Sequence, residues 1–226
     1  ERVVLTTLTN TGVISAENQG NKFHARGVYL NGGYHGNSTI TTLTNSGTIS
    51  GTAGDDNSYG VYLTGGYHGN STITTLTNSG TISGTTYDIY NNGRLTIVNF
   101  NNQQGKSGND VLAYDGKLPT NYNVIVASTS DYGQASFTNE SGTTNFGVSS
   151  SSSFSGSATY ASVISGLATG KIGATRSGTV GEYGWSLVLQ SGQSEIWDLV
   201  ITSSRTGYSS RISTGKRSNI AAILEA

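Results

Sequence analysis

Short stretches of alternating apolar and polar residues recur along the chain, and glycine separates them. Val61 and Leu63 are apolar and flank Tyr62, which gives a period of two instead of the helical period of 3.6. Glycine stands at the breaks, where the backbone needs a positive φ or a close approach to another segment. The pattern therefore predicts an all-β chain of short strands joined by tight turns.

One segment of the sequence is repeated almost unchanged. Residues 27–51 read GVYLNGGYHGNSTITTLTNSGTISG, and residues 60–84 repeat them with a single substitution, at a period of 33. A weaker copy at 6–15 aligns with 41–50. The spacing between copies varies only in the stretch before GVYL, which we interpret as a loop. A period of 20 to 35 residues with short β-prone stretches is typical of a solenoid.

Stacking these copies predicts a right-handed parallel β-helix over residues 1–120. LTIVNF, at 95–100, is aligned with ITTLTN at 73–78, which gives a basic turn of about 22 residues and makes the longer copies carry an insertion. An asparagine ladder is expected at one bend, with each side chain bonded to neighbouring backbone. The predicted columns are Leu8, Leu43 and Leu76; Ile14, Ile49 and Ile82; Val28, Val61 and Ile89; and Asn10, Asn45 and Asn78.

The pattern changes after Pro119, the only proline of the chain, but it stays typical of β-structure. Residues 121–202 contain five further alternating stretches and both tryptophans, and they predict a C-terminal β cap with a well-packed core. Residues 203–226 are predicted to form a basic linker that leads into a short terminal helix. That helix is expected to begin at Ser218, because apolar residues follow it at helical spacing.

Composition narrows the choice of function classes. Glycine, serine, threonine and asparagine make up about half of the chain, charged residues are 11%, and the net charge is −1. A nucleic-acid-binding surface needs clustered lysine and arginine, so no nucleic-acid partner is expected. Without cysteine there are no disulfides and no thiolate sites. Because the chain begins at Glu1 and contains no methionine, we expect a processed fragment.

The candidate catalytic residues do not form a recognisable pattern. No GxSxG motif is present, and all three histidines lie within the first 68 residues. Asp55 and Asp56 are interpreted as a solvated turn. Asp110 and Asp115 flank a VLAY segment, but no calcium-loop motif accompanies them. The sequence therefore predicts no enzyme, no cofactor and no metal site.

The motif GGYHGNS occurs at 32–38 and again at 65–71, and it is the candidate binding loop. It presents Tyr-His at the same point of successive turns, where a tyrosine offers a flat apolar face and a polar tip to a sugar or a protein. The alternative is that these tyrosines only cover the β-helix. Tyr29, Tyr62 and Tyr90 are predicted to form a stabilising outward ladder instead of a site. The candidate site residues are Tyr34, His35, Tyr67 and His68.

The repeats LTNSGTISG followed by YGVYL resemble the passenger repeats of bacterial type V autotransporters. Residues 158–202 and the closing KRSNIAAILEA are similar to the passenger cap and to the stretch that leads into the linker helix. The resemblance implies a location at the bacterial cell surface or outer membrane, or secretion, with the protein's own outer-membrane β-barrel downstream. It also implies that residues 122–202 seed the folding of the passenger.

Three hypotheses follow. The first is an adhesive, self-associating stalk whose partners are a host or bacterial surface glycan or protein, or an identical molecule. The alternative is the scaffold of a toxin or enzyme whose active region lies upstream. The third, an ice-binding solenoid, is suggested by the threonines of 39–41 and 42–44, but loop insertions and Phe100 are expected to break the regular TxT face.

Overall fold

The computed structural model describes residues 2–18, 24–32, 37–54, 57–65, 71–108 and 110–203. Most of these residues lie in β-strands, as the alternating pattern predicts, and within these ranges the only helical segment is a 3₁₀ turn at Thr169–Lys171. The terminal helix predicted from Ser218 lies outside the described residues, as does almost all of the predicted basic linker.

The strands are short and follow one another closely along the chain. They are β1 (Arg2–Asn10), β2 (Val13–Asn18), β3 (Ala25–Asn31), β4 (Asn37–Asn45), β5 (Thr48–Ala53), β6 (Ser58–Thr64), β7 (Ser71–Asn78), β8 (Thr81–Gly84), β9 (Tyr87–Asn91), β10 (Leu95–Asn102), β11 (Leu112–Lys117), β12 (Asn121–Val124), β13 (Val126–Ser128), β14 (Asp131–Tyr132), β15 (Ala135–Ser141), β16 (Asn145–Val148), β17 (Ala158–Ser165), β18 (Ser177–Val180), β19 (Tyr183–Leu189) and β20 (Ile196–Ser203).

Three sheets with parallel pairing hold most of these strands. Sheet A has the order β1-β4-β7-β10-β12-β16, sheet B has β2-β5-β8, and sheet C begins at one edge with β3-β6-β9-β11-β15-β17. The chain visits sheets A, B and C in the same order three times, and after β8 it alternates mainly between sheets A and C. Parallel neighbours are therefore one repeat apart in sequence, which is why the sheets connect equivalent residues.

The predicted leucine column is confirmed. Leu8 pairs with Leu43, and Leu43 pairs with Leu76. Leu43 and Leu76 are fully buried. The column continues through three aromatic side chains that the sequence analysis did not assign to it, namely Phe100, Tyr122 and Phe146.

The other two predicted columns are also confirmed, one in sheet B and one in sheet C. The sheet C column also continues through aromatic side chains, Tyr114 and Phe137, which are buried. These large residues begin where sheet B has ended, so that aromatic rings supply much of the core beyond β8. Phe137 packs edge-on against Tyr122 with ring centroids 5.4 Å apart, which joins the two columns.

The predicted register of LTIVNF is wrong by two residues. The alignment places Leu95 opposite Ile73, but in sheet A Leu95 pairs with Ser71 and Ile97 pairs with Ile73. The offset between β7 and β10 is therefore 24 residues instead of 22. A shift of two keeps every side chain on its original face, so the apolar pattern alone does not reveal the error. The buried partners Phe100 and Leu76 fix the observed register.

The asparagine ladder is confirmed at the bend between sheets A and B. Asn10 Nδ2 donates to Asn45 Oδ1 at 2.8 Å, and Asn45 Nδ2 donates to Asn78 Oδ1 at 2.9 Å. The same amides also donate to backbone, as Asn45 does to the carbonyl of Thr81 at 3.0 Å. The ladder extends one strand further, to Asn102. Each buried amide therefore satisfies the next, at a position where the backbone turns.

Pairing changes from parallel to antiparallel near the C-terminal end of the described chain. β17 pairs in parallel with β15 on one side and antiparallel with β20 on the other, and β19 and β18 follow β20. Trp197 is buried and donates from Nε1 to the carbonyl of Leu167 at 2.7 Å, while Trp185 packs against Phe146. The division into residues 1–120, 121–202 and 203–226 stays a prediction.

Replacing Asn45 with alanine should destabilise the protein by about 2–4 kcal/mol, because it removes several buried hydrogen bonds and leaves buried partners unsatisfied. Asn101→Ala is the matched control, since Asn101 lies on the outer face of the same sheet, and it should cost less than about 1 kcal/mol. Urea unfolding followed by circular dichroism measures both. Equal losses in the two variants would show that the ladder adds nothing specific.

Candidate functional site

The four residues of the candidate binding loop, Tyr34, His35, Tyr67 and His68, lie outside the described residues. The strands around them are described: one loop joins β3 to β4 and the other joins β6 to β7. Because β3 pairs with β6 and β4 with β7, both loops connect sheet C to sheet A at equivalent positions of the repeat. The role of the four residues stays a prediction.

The outer side of sheet A carries two rows of polar side chains that the sequence analysis did not identify as a surface. They alternate with the buried leucine column, so each strand contributes one residue to each row. In the first three strands both rows are threonine. We call these residues the threonine face: Thr7, Thr9, Thr42, Thr44, Thr75 and Thr77.

The side-chain hydroxyls of the threonine face are mostly unbonded. Among the described residues, a hydrogen bond to a hydroxyl of this face occurs only at Thr77, whose Oγ1 accepts from Asn101 Nδ2 at 3.1 Å. The strands of a sheet lie about 4.8 Å apart, and residues two apart on a strand are separated by roughly 6.8 Å. The face therefore presents unpaired hydroxyls on a regular grid without a charged residue.

The same two rows continue as asparagine beyond β7, and there the side chains bond to each other. Asn121 Nδ2 donates to Asn99 Oδ1 at 2.9 Å, and Asn123 Nδ2 donates to Asn101 Oδ1 at 2.9 Å. Asn145 Nδ2 extends the first row by donating to Asn121 Oδ1 at 3.2 Å. The asparagine part stabilises its own strands, and the threonine part is the one left to interact with other molecules.

The sequence did contain a signal for the threonine face. Thr42 and Thr44 flank Leu43 with the required spacing, but Phe100 was expected to interrupt the pattern. That expectation is wrong, because Phe100 is fully buried and its neighbours Asn99 and Asn101 continue the rows. The change from threonine to asparagine, and not Phe100, ends the TxT array that ice binding would require.

The predicted tyrosine ladder is present on the outer side of sheet C. Tyr62 pairs with Tyr29 and with Tyr90, and the ring centroids of Tyr62 and Tyr90 are 5.0 Å apart with the rings nearly parallel. The guanidinium of Arg26 lies over the ring of Tyr62, at 4.1 Å from its centroid. Aromatic stacking and a cation–π contact both stabilise neighbouring strands here.

The described residues contain no group of three or more histidine, aspartate or glutamate side chains that could hold a metal ion. Asp115 is buried and accepts from Thr138 Oγ1 at 2.9 Å and from Asn139 Nδ2 at 2.6 Å. These contacts account for the carboxylate within the fold. The absence of a metal site and of catalytic residues stays a prediction for the whole chain.

Asp88 is a second buried carboxylate, and its pKa is raised from 3.8 to about 6 by burial. The backbone N–H groups of Ala113 and Gly84 donate to it at 2.8 and 3.1 Å, which lowers the pKa, but not enough to offset the desolvation. Asp88 therefore changes its charge in a pH range in which ordinary aspartates stay ionised.

Comparison of the chain with known protein families, with curated proteins and with solved structures found no match. Within the part of the chain that the structure describes, no helix is long and apolar enough to cross a membrane.

The stability of the protein should fall as the pH rises from about 4 to about 6. Because Asp88 has a higher pKa in the folded chain than in the unfolded one, the folded state holds the proton more tightly in this window. The contribution is about 3 kcal/mol at most, at 1.36 kcal/mol per pKa unit. Thermal unfolding at pH 4.5 and pH 7 measures it.

Asp88→Asn should flatten this pH dependence, whereas Asp131→Asn, at a less buried aspartate, should leave it in place. A wild-type protein that is equally stable at both pH values, or an Asp88→Asn variant that keeps the full slope, would contradict the assignment to Asp88.

Proposed function

We propose that the chain is a right-handed parallel β-helix from the passenger of a bacterial type V autotransporter. The ordered recurrence of sheets A, B and C supports the β-helix, as does the pairing of equivalent residues one repeat apart. The autotransporter assignment is supported by the resemblance of the LTNSGTISG repeats and of residues 158–202. The protein would then act at the bacterial cell surface or outer membrane, or after secretion, with its own β-barrel downstream.

Its function in this proposal is that of an adhesive, self-associating stalk without catalytic activity. The observation that carries this function is the threonine face, whose hydroxyls have almost no partners among the described residues. One hydroxyl-mediated contact is weak, but many of them repeated along one face bind strongly when they engage together. The partner is an identical molecule, or a glycan or protein on a host or bacterial surface.

The uncharged character of this face favours partners that form neutral hydrogen bonds. Threonine hydroxyls both donate and accept, so they match the hydroxyls of a glycan or the same threonines of a second copy. A phosphate backbone would instead require lysine and arginine. No nucleic acid is therefore among the proposed partners.

Residues 122–202 have a second role in the proposal, which is to seed the folding of the passenger. A stack of parallel strands has an open end with unpaired backbone groups, and it needs a covered end from which pairing can extend. The antiparallel strands β18 to β20 support this role, because they pair with β17 and continue sheet C beyond its last parallel pair. Both tryptophans pack there.

Introducing positive charge on the threonine face should abolish cell clumping. The test fuses the chain to an outer-membrane barrel on an adhesion-negative bacterium and compares Thr42→Lys/Thr75→Lys with the parent. Repulsion between lysines of facing copies and the loss of hydroxyls should reduce sedimentation by clumping about tenfold or more. The matched control is Thr52→Lys/Thr85→Lys, two exposed threonines separated by the same 33 residues but outside sheet A.

Equal clumping of the parent and the Thr42→Lys/Thr75→Lys variant, at equal surface amounts, would contradict the assignment to this face. Loss of clumping in both lysine variants would show that charge alone is responsible.

The candidate loop is tested in the same assay by the double variant Tyr34→Ala/Tyr67→Ala. If Tyr34 and Tyr67 contribute stacking contacts to a partner, the variant should clump several-fold less than the parent. Clumping at the level of the parent would instead mean that these tyrosines only cover the strands beneath them.

A further inference from the structure

The tyrosine ladder of sheet C stops abruptly at Tyr90. In the next strand of the sheet, the residue in register with Tyr90 is Asp115, and the one after that is Thr138. Among the described residues, the rings that pack against Tyr90 belong to Tyr59 and Tyr62, and both come from the preceding strand β6. No aromatic side chain continues the stack on the side of β11.

A cavity of about 200 Å³ opens at this point, next to the last ring of the ladder. It is smaller than the roughly 300–1,000 Å³ of pockets that hold drug-sized ligands, so it suits a single small ring. Its walls combine one aromatic ring with amide, carboxylate, ammonium and hydroxyl groups. The residues that matter for recognition are Tyr90, Asn92, Asp115, Lys117, Asn139 and Ser141.

The carboxylate in this cavity is held in place and only half used. Asp115 is 5% exposed, and both of its hydrogen bonds, from Thr138 and Asn139, go to Oδ1. Within the described residues Oδ2 accepts no hydrogen bond, although it is not sealed off from solvent. A buried acceptor of this kind is costly to leave unpaired, so it favours a ligand that donates to it.

The backbone around the cavity is fixed in unusual conformations. Asn139 has a φ of +46°, which is rare for residues other than glycine, and its side chain donates to Asp115. The pairing of β11 with β15 shifts register between Asp115 and Lys117. Gly116, between them, has a φ of +95°, and a Cβ there would lie 2.0 Å from the carbonyl oxygen of Asn91. This irregularity interrupts the repeat at the position where the cavity forms.

We propose that this cavity binds one neutral pyranose ring of a glycan, stacked on Tyr90. The C–H face of a pyranose packs on an aromatic ring, and the ring of Tyr90 lies at the cavity wall. A sugar hydroxyl donates to Asp115 Oδ2, and neighbouring hydroxyls bond with Asn92 and with Lys117, whose Nζ already donates to Thr96 Oγ1 at 3.0 Å. An acidic sugar is disfavoured, because its carboxylate would face that of Asp115.

This site is separate from the threonine face and does not depend on it. The threonine face lies on sheet A, whereas Tyr90, Asp115 and Asn139 belong to sheet C. Failure of sugar binding therefore leaves the proposed clumping function untouched, and failure of clumping leaves the sugar site untouched.

Saturation-transfer difference NMR on the full chain tests the proposal. The probes are methyl α-mannoside, methyl β-galactoside, methyl β-N-acetylglucosaminide and methyl β-glucuronide. At least one neutral glycoside should receive saturation on the C–H protons of one ring face, with the glucuronide weaker. Tyr90→Ala should weaken binding about tenfold, whereas Tyr29→Ala, at the far exposed end of the same ladder, should leave it unchanged.

A second variant keeps the test decisive if Tyr90→Ala perturbs the fold. Ser141→Trp fills the cavity from its exposed rim and removes no contact of the core, so it should also abolish saturation transfer. The proposal is overturned if no neutral glycoside receives saturation, if the glucuronide binds best, or if binding survives in both Ser141→Trp and a folded Tyr90→Ala.

Discussion

The parallel register of the sheets is the constraint on which the rest of the structure depends. Each strand pairs with the strand one repeat away, so that leucine lies on leucine, isoleucine on isoleucine and asparagine on asparagine. Each repeat alone has too few apolar residues to form a core. Stacked in register at about 4.8 Å, the same few residues form continuous buried columns. A chain in which half of the residues are glycine, serine, threonine or asparagine can therefore fold around a narrow core.

The consequence of a given side chain in such a stack depends on its length. An asparagine amide is long enough to bridge the distance between strands, and Asn45 bonds to Asn78 while Asn121 bonds to Asn99. A threonine hydroxyl is shorter, and the hydroxyls of neighbouring threonines on sheet A do not bond to one another. The same ladder geometry thus makes asparagine rows self-sufficient and leaves threonine rows open to other molecules. Position in the repeat decides the surface, and residue type decides whether that surface is available.

The sequence predicted those parts of the fold that repeat. The leucine, isoleucine and asparagine columns followed from two nearly identical copies, because identical residues at a constant offset can stack in only one way. Prediction became weaker where the copies diverged: the offset before Leu95 was wrong by two residues, and the aromatic extension through Phe100 and Tyr122 was missed. Alternation fixes which face a side chain occupies, but it does not fix the register, since shifts of two residues preserve the pattern.

The candidate sites show the same limit from the other direction, because each lies where a column changes its residue type. An aromatic ladder can continue only as long as each strand supplies a ring, and between Tyr90 and Asp115 that supply ends. The last ring then loses a partner on one side, and a carboxylate held by Thr138 and Asn139 takes the place of the next ring. Sequence comparison of the copies cannot find such a position, since it searches for what recurs. The structure places together two residues that are 25 positions apart, and only this juxtaposition turns the end of a stabilising ladder into a cavity with chemistry suited to a ligand.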